Sequence, residues 1–186
     1  VHLIERELVS DKSAYAAEIN NTRPNGGLTP YIDSEPPAID RSSLKFFIDG
    51  TDIETAPWSL SGRIDIRIKI EERNGPWSSH RNNGTYLAGY RIWNRDTSQI
   101  VYEPADAGVK YRFDRKPFNS DVHQVFVKGV ATLSNPVYWL TNGSGANTIN
   151  RTQTVTNNFF QTSLLDTGKY VLEIFSEDTR GNTAQE

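Results

Sequence analysis

Residues 60 to 72 read LSGRIDIRIKIEE, with Ile64, Ile66, Ile68 and Ile70 alternating with Arg63, Asp65, Arg67 and Lys69. A period of two puts four β-branched side chains on one face of a strand and four charged ones on the other. The expectation is a strand with the isoleucines in the core and the charged face in water. A second stretch, residues 168 to 185 (GKYVLEIFSEDTRGNTAQ), behaves similarly. Tyr170, Leu172 and Ile174 share one side, and Val171 and Phe175 flank Glu173 on the other. Asp178 to Asn182 supplies a turn, where Gly181 can adopt a positive φ. Strands with one apolar face need a second layer to bury it, so two packed sheets are expected.

The remaining chain supports that class. Leu44–Asp49, Thr85–Trp93, Gln99–Tyr102, Lys110–Phe113 and Val122–Lys128 read as further strands, separated by polar turns. The Lys110, Arg112, Arg115 and Lys116 cluster reads as a solvated strand and turn. Asp11–Ile19 has an N-cap candidate and Ala-rich spacing, which predicts a helical turn or two. Residues 134 to 155 form an Asn/Thr/Gly-rich excursion in which VYWL must bury something. No sizeable helical pattern follows Pro36. The sequence thus predicts an all-β, immunoglobulin-like β-sandwich over residues 31–186, with residues 1–30 as a short N-terminal extension.

Composition narrows the function. There is no cysteine, which excludes disulfides, thiolate metal sites and a cysteine nucleophile. With no methionine and Val1 first, the chain is expected to be a processed product or an excised piece of a larger protein. A net charge of −3 argues against duplex nucleic acid as a partner. No apolar run approaches the roughly 20 residues that span a bilayer. Polar strands, Asn/Thr/Ser loops and absent cysteine resemble bacterial extracytoplasmic proteins.

The two leading strands echo each other. Counting from Gly62 and from Gly168, Ile68 matches Ile174, Glu71 matches Glu177, and Glu72 matches Asp178. As second and sixth strands of such a sandwich they would lie in facing sheets, with their acidic ends at one pole. The opening of the first strand would add Asp33 and Glu35. Crowded carboxylates call for solvent or a cation. Asp33, Glu35, Glu71, Glu177 and Asp178, with Asn182 as a further oxygen donor, form a candidate calcium cluster. The alternative is ordinary solvated hairpin acids, partly paired with Arg73 and Arg180.

Catalytic signatures are missing. His2, His80 and His123 have no acidic or histidine neighbour at ligand spacing, and there is no nucleophile elbow, phosphate loop or dinucleotide fingerprint. Trp93 and Trp139 fall in apolar strands and read as core. Trp58 and Trp77 fall in loops, where an exposed ring can stack on a sugar; they are the candidate ligand-binding residues.

Two motifs resemble a known arrangement. His2-Leu3-Ile4-Glu5 sits where LytM-type (lysostaphin-like) zinc metallopeptidases carry a final H-x-H. Pro30-Tyr31-Ile32-Asp33 and Pro36-Pro37-Ala38-Ile39 look like the opening of the immunoglobulin-like domain that follows in secreted bacterial members. Leu60-Ser61-Gly62 and the Glu177-Asp178 to Gly181-Asn182 ending are also similar to that accessory domain. Ile4 stands where the second histidine belongs, and H-x-x-x-D is absent, so no zinc site carries over. The resemblance implies a non-catalytic accessory or spacer domain, extracytoplasmic, with a neighbouring domain of the same protein as partner. The alternative is a module binding glycan or peptidoglycan through Trp58 and Trp77. No cofactor other than calcium is expected.

Overall fold

The computed structural model describes residues 4–8, 14–18, 34–72, 84–113, 121–143, 157–178 and 180–186, the first two segments as backbone. Among them β1 (Ile4–Leu8) and β2 (Ala14–Glu18) pair with each other, antiparallel. The rest is an all-β sandwich of two antiparallel sheets. One contains β3 (Ala38–Ile48), β4 (Glu54–Thr55), β5 (Arg63–Glu71), β9 (Val137–Trp139) and β10 (Phe160–Gln161). The other contains β6 (Leu87–Asn94), β7 (Ile100–Tyr102), β8 (Val109–Arg112), β11 (Tyr170–Glu177) and β12 (Thr183–Gln185). The chain therefore fills the first sheet, crosses to the second, returns and crosses again. The second sheet has the order β12-β11-β6-β7, with β8 also paired to β6.

β5 is the centre of the first sheet. It pairs with β3 along one edge and with β9 and β10 along the other. Ile64, Ile66, Ile68 and Ile70 are all at most 1% exposed, packed with Ala88, Tyr90, Ile92 and Ile174 of the second sheet. Burial of each isoleucine contributes roughly 1.5–3 kcal/mol. Tyr111 and Tyr138 fill the space between, and the Tyr111 hydroxyl donates to the Trp139 carbonyl at 2.6 Å. As the echo predicts, β5 and β11 lie in different sheets. Gly181 takes φ +88°.

Three expectations are corrected. The charged face of β5 does not all face water: Arg63 is exposed, but Asp65 and Arg67 are buried and Lys69 is half-buried. Because both edges of β5 are paired, its second face is roofed by Phe47, Trp139 and the turn after β3. Residues 122 to 128 are not a strand, for Val122–Val125 form one short helix, α1. Val122 and Val125 are three apart, and a helical turn buries both while Phe126 bridges to Tyr138. Ala14–Glu18 is strand where a helical turn was expected. Its backbone pairs in register from Ile4↔Glu18 to Leu8↔Ala14, and a helix this short has little stability of its own.

Candidate functional site

The acidic pole is assembled by a buried polar chain linking the two sheets. Tyr138 of β9 sits opposite Ile68, and its hydroxyl accepts the Thr85 amide at 3.3 Å. Thr85 Oγ1 lies 2.5 Å from Ser176 Oγ and 3.0 Å from the carbonyl oxygens of Leu87 and Glu177. Ser176 Oγ is also 2.9 Å from the Leu87 carbonyl. Thr85 and Ser176 are fully buried, so these contacts tie β9 and the ends of β6 and β11 together in a dry setting where hydrogen bonds are strong. Glu72 is buried beside this chain. Burial, and after it the Glu72 charge, push the Tyr138 phenol up, against the opposing Thr85 amide.

The acids of the expected calcium cluster have different settings. Asp178 is fully buried and closes the β11–β12 hairpin. Its Oδ1 accepts the amides of Arg180 (2.7 Å) and Asn182 (2.9 Å), and its Oδ2 accepts Asn182 Nδ2 at 2.7 Å. Asn182 thus turns its amide nitrogen toward Asp178. Glu71 is half-buried and ion-paired with Lys69 Nζ at 2.7 Å, Glu177 is half-buried, and Glu35 is exposed. Asp33 lies outside the described residues. Among the described residues no three His, Asp or Glu side chains stand grouped to hold a metal. The buried acid at the tip acts on the turn: Asp178→Ala is expected to lower stability by about 2 kcal/mol through loss of these bonds. Urea unfolding checks this, and a change below about 0.5 kcal/mol would show the hairpin closes without Asp178.

On the outer side of β5, the Arg67 guanidinium lies 3.7 Å from the ring centroids of both Phe47 and Trp139. Its Nη2 donates to Asp52 Oδ1 at 2.6 Å. The planar, weakly hydrated guanidinium suits such a stack, so its charge is buried with both faces covered. Neighbouring Asp65 accepts Thr141 Oγ1 (3.1 Å) and the Gly50 amide (3.0 Å), and burial raises its carboxyl above the usual range. Trp139 is therefore half-buried, stacked on a cation, while Trp93 donates Nε1 to Glu173 at 2.5 Å. Lys110, expected in solvent, is 8% exposed. Sequence reasoning missed Asp65, Arg67 and Lys110 because a charged side chain in a strand carries no mark of what will cover it.

Trp58 is 86% exposed, in a turn where the Ser59 amide donates to the Ala56 carbonyl at 3.0 Å. Its ring is presented outward, as sequence predicts. Trp77, with His2 and His80, lies outside the described residues. His123 is half-buried on α1. Neither a scan against protein-family models nor searches of curated proteins and of solved structures find a match for this chain.

Proposed function

We propose that this chain is a non-catalytic accessory domain of a larger bacterial extracytoplasmic protein, where it holds a neighbouring domain in place. The observation behind this reading is how the polar side chains of the sandwich are employed. Asp178 closes a hairpin, Asp65 and Arg67 anchor the turn after β3, and Thr85 and Tyr138 join the sheets. These groups rigidify a scaffold. The reading frame around the chain tests it directly: an adjoining peptidase-like domain, with Ile4 in place of the last zinc-binding histidine, is the expected result. A frame encoding no adjoining domain would sink it.

Trp58 favours a second reading, a glycan- or peptidoglycan-binding module, because a ring 86% exposed has a face free for stacking. Under this reading the chain is retained on purified peptidoglycan, and Trp58→Ala weakens retention about tenfold, in line with an aromatic stacking contact. A plain spacer shows no retention, or retention that Trp58→Ala leaves unchanged.

A further inference from the structure

Lys110 carries an amine that the fold buries without giving it a counter-charge. The step from Ala88 to Gly89 on β6 spans two residues of β8, from Tyr111 to Val109, so Lys110 is the extra residue of a β-bulge. A bulge takes its residue out of the ladder and re-aims the side chain. After β9 and the 3₁₀ turn Leu140–Asn142, the chain passes directly across this bulge. A Cβ on Gly143 would collide with the Lys110 carbonyl and stand 3.0 Å from Lys110 Cβ. The missing side chain permits the crossing, and Lys110 is left 8% exposed.

Burying an ammonium is costly unless a carboxylate or several acceptors meet it. Arg67, the other buried cation among the described residues, has Asp52 and two aromatic rings. Lys110 has no such partner among the described residues, and burial by itself lowers its pKa to about 8. At pH 7 roughly a tenth of this amine is therefore uncharged, against roughly a thousandth or less for an exposed lysine. Desolvation of this kind is a common way to make a lysine nucleophilic.

We propose that Lys110 is a covalent attachment site for a small aldehyde. The neutral Nζ adds its lone pair to the carbonyl carbon, and one amine proton passes to the oxygen. The resulting hydroxyl and the remaining N–H proton then leave as water while a C=N bond forms. Amine and aldehyde thus give imine and water, with no oxidant or reductant required. The product is uncharged at neutral pH, so it relieves the cost that the buried ammonium carries, a gain no exposed lysine has. The small opening left beside Gly143 admits a small carbonyl compound rather than a protein surface. The site stands on β8 and Gly143, so it is independent of Trp58 and of any adjoining domain.

Reductive trapping on the full folded chain tests the site, with propionaldehyde and cyanoborohydride at pH 7 as probe and peptide mass spectrometry as readout. Lys110 should be alkylated about tenfold faster than the exposed Lys128 and Lys169, its larger neutral fraction being partly offset by weaker basicity and restricted access. In concentrated urea the three lysines should react alike, because the preference belongs to the fold. Without reductant, propionaldehyde should raise the melting temperature of the parent and leave that of Lys110→Met unchanged, as expected of a ligand held only by the folded chain. Labelling of Lys110 no faster than that of Lys128 and Lys169 in the folded chain overturns the proposal, a result that needs no variant. A preference that survives in urea, or an equal thermal shift in Lys110→Met, does the same.

Discussion

Replacing Gly89 with alanine is expected to destabilise the fold by about 3 kcal/mol, the upper end for overpacking, since one of the groups it meets is backbone. A Cβ at this position would stand 2.3 Å from the Gly108 carbonyl oxygen and 2.5 Å from the Phe175 ring. Neither can give way cheaply. Gly108 sits at φ +82°, its amide donates to the Pro104 carbonyl, and its own carbonyl accepts the Tyr90 amide, both at 3.0 Å. Phe175 is held among Tyr86, Leu87 and Val109, with the Arg91 guanidinium 4.7 Å from its ring centroid. The register of β6 against β8 shifts between Ala88 and Gly89, so the absent side chain is what lets β8 close onto β6. For a chain this long the loss corresponds to a melting temperature about 10 °C lower. Gly168→Ala, whose Cβ would meet nothing nearer than 3.4 Å, is the control and should stay within about 0.5 kcal/mol. Urea midpoints decide the matter, and a Gly89→Ala loss below about 1 kcal/mol would mean the bulge relaxes.

Legibility in the sequence followed what each side chain needed to be told about its surroundings. The four isoleucines of β5 announce a buried face by spacing alone, and Gly181 announces its turn, because both depend on local geometry. Trp58 in a Pro-Trp-Ser turn is equally local. Asp65 and Arg67 look like solvent-facing residues, since only the fold shows that Phe47 and Trp139 close over them. In residues 122 to 128 the valines suit both a strand and a helical turn, and the bridge of Phe126 to Tyr138 decides between them. The acid ends of β5 and β11 were placed at the right strand termini, but Asp178 is taken up by its hairpin, which needs knowledge of rotamer and turn together. Gly89 offered a signal, since a glycine inside a strand marks a bulge or a close backbone approach.

Between pH 8 and 10 the folded chain is expected to gain stability, and above about pH 10 to lose it. Lys110 is 8% exposed, and burial lowers its ammonium pKa to about 8. Across this window the unfolded chain binds a proton on Lys110 that the folded chain does not. Stability therefore rises with pH, by at most about 1.4 kcal/mol per unit and about 3 kcal/mol in all. Tyr90, Tyr111 and Tyr138 act in the opposite sense. Burial pushes all three phenols up, so above about pH 10 the unfolded tyrosines ionise while the folded ones retain their protons. Each then removes stability at about 1.4 kcal/mol per unit. Urea midpoints at pH 7.5, 9.5 and 11 should accordingly rise and then fall. Lys110→Met keeps the buried stem, removes the titrating group, and should raise the midpoint at pH 7.5 while flattening the rise to pH 9.5. A parent midpoint that is level or falling between pH 8 and 10 would show that the Lys110 ammonium reaches solvent in the folded chain. The alkaline fall belongs to the tyrosines and should persist unchanged in Lys110→Met, which separates the two contributions within one pair of titrations.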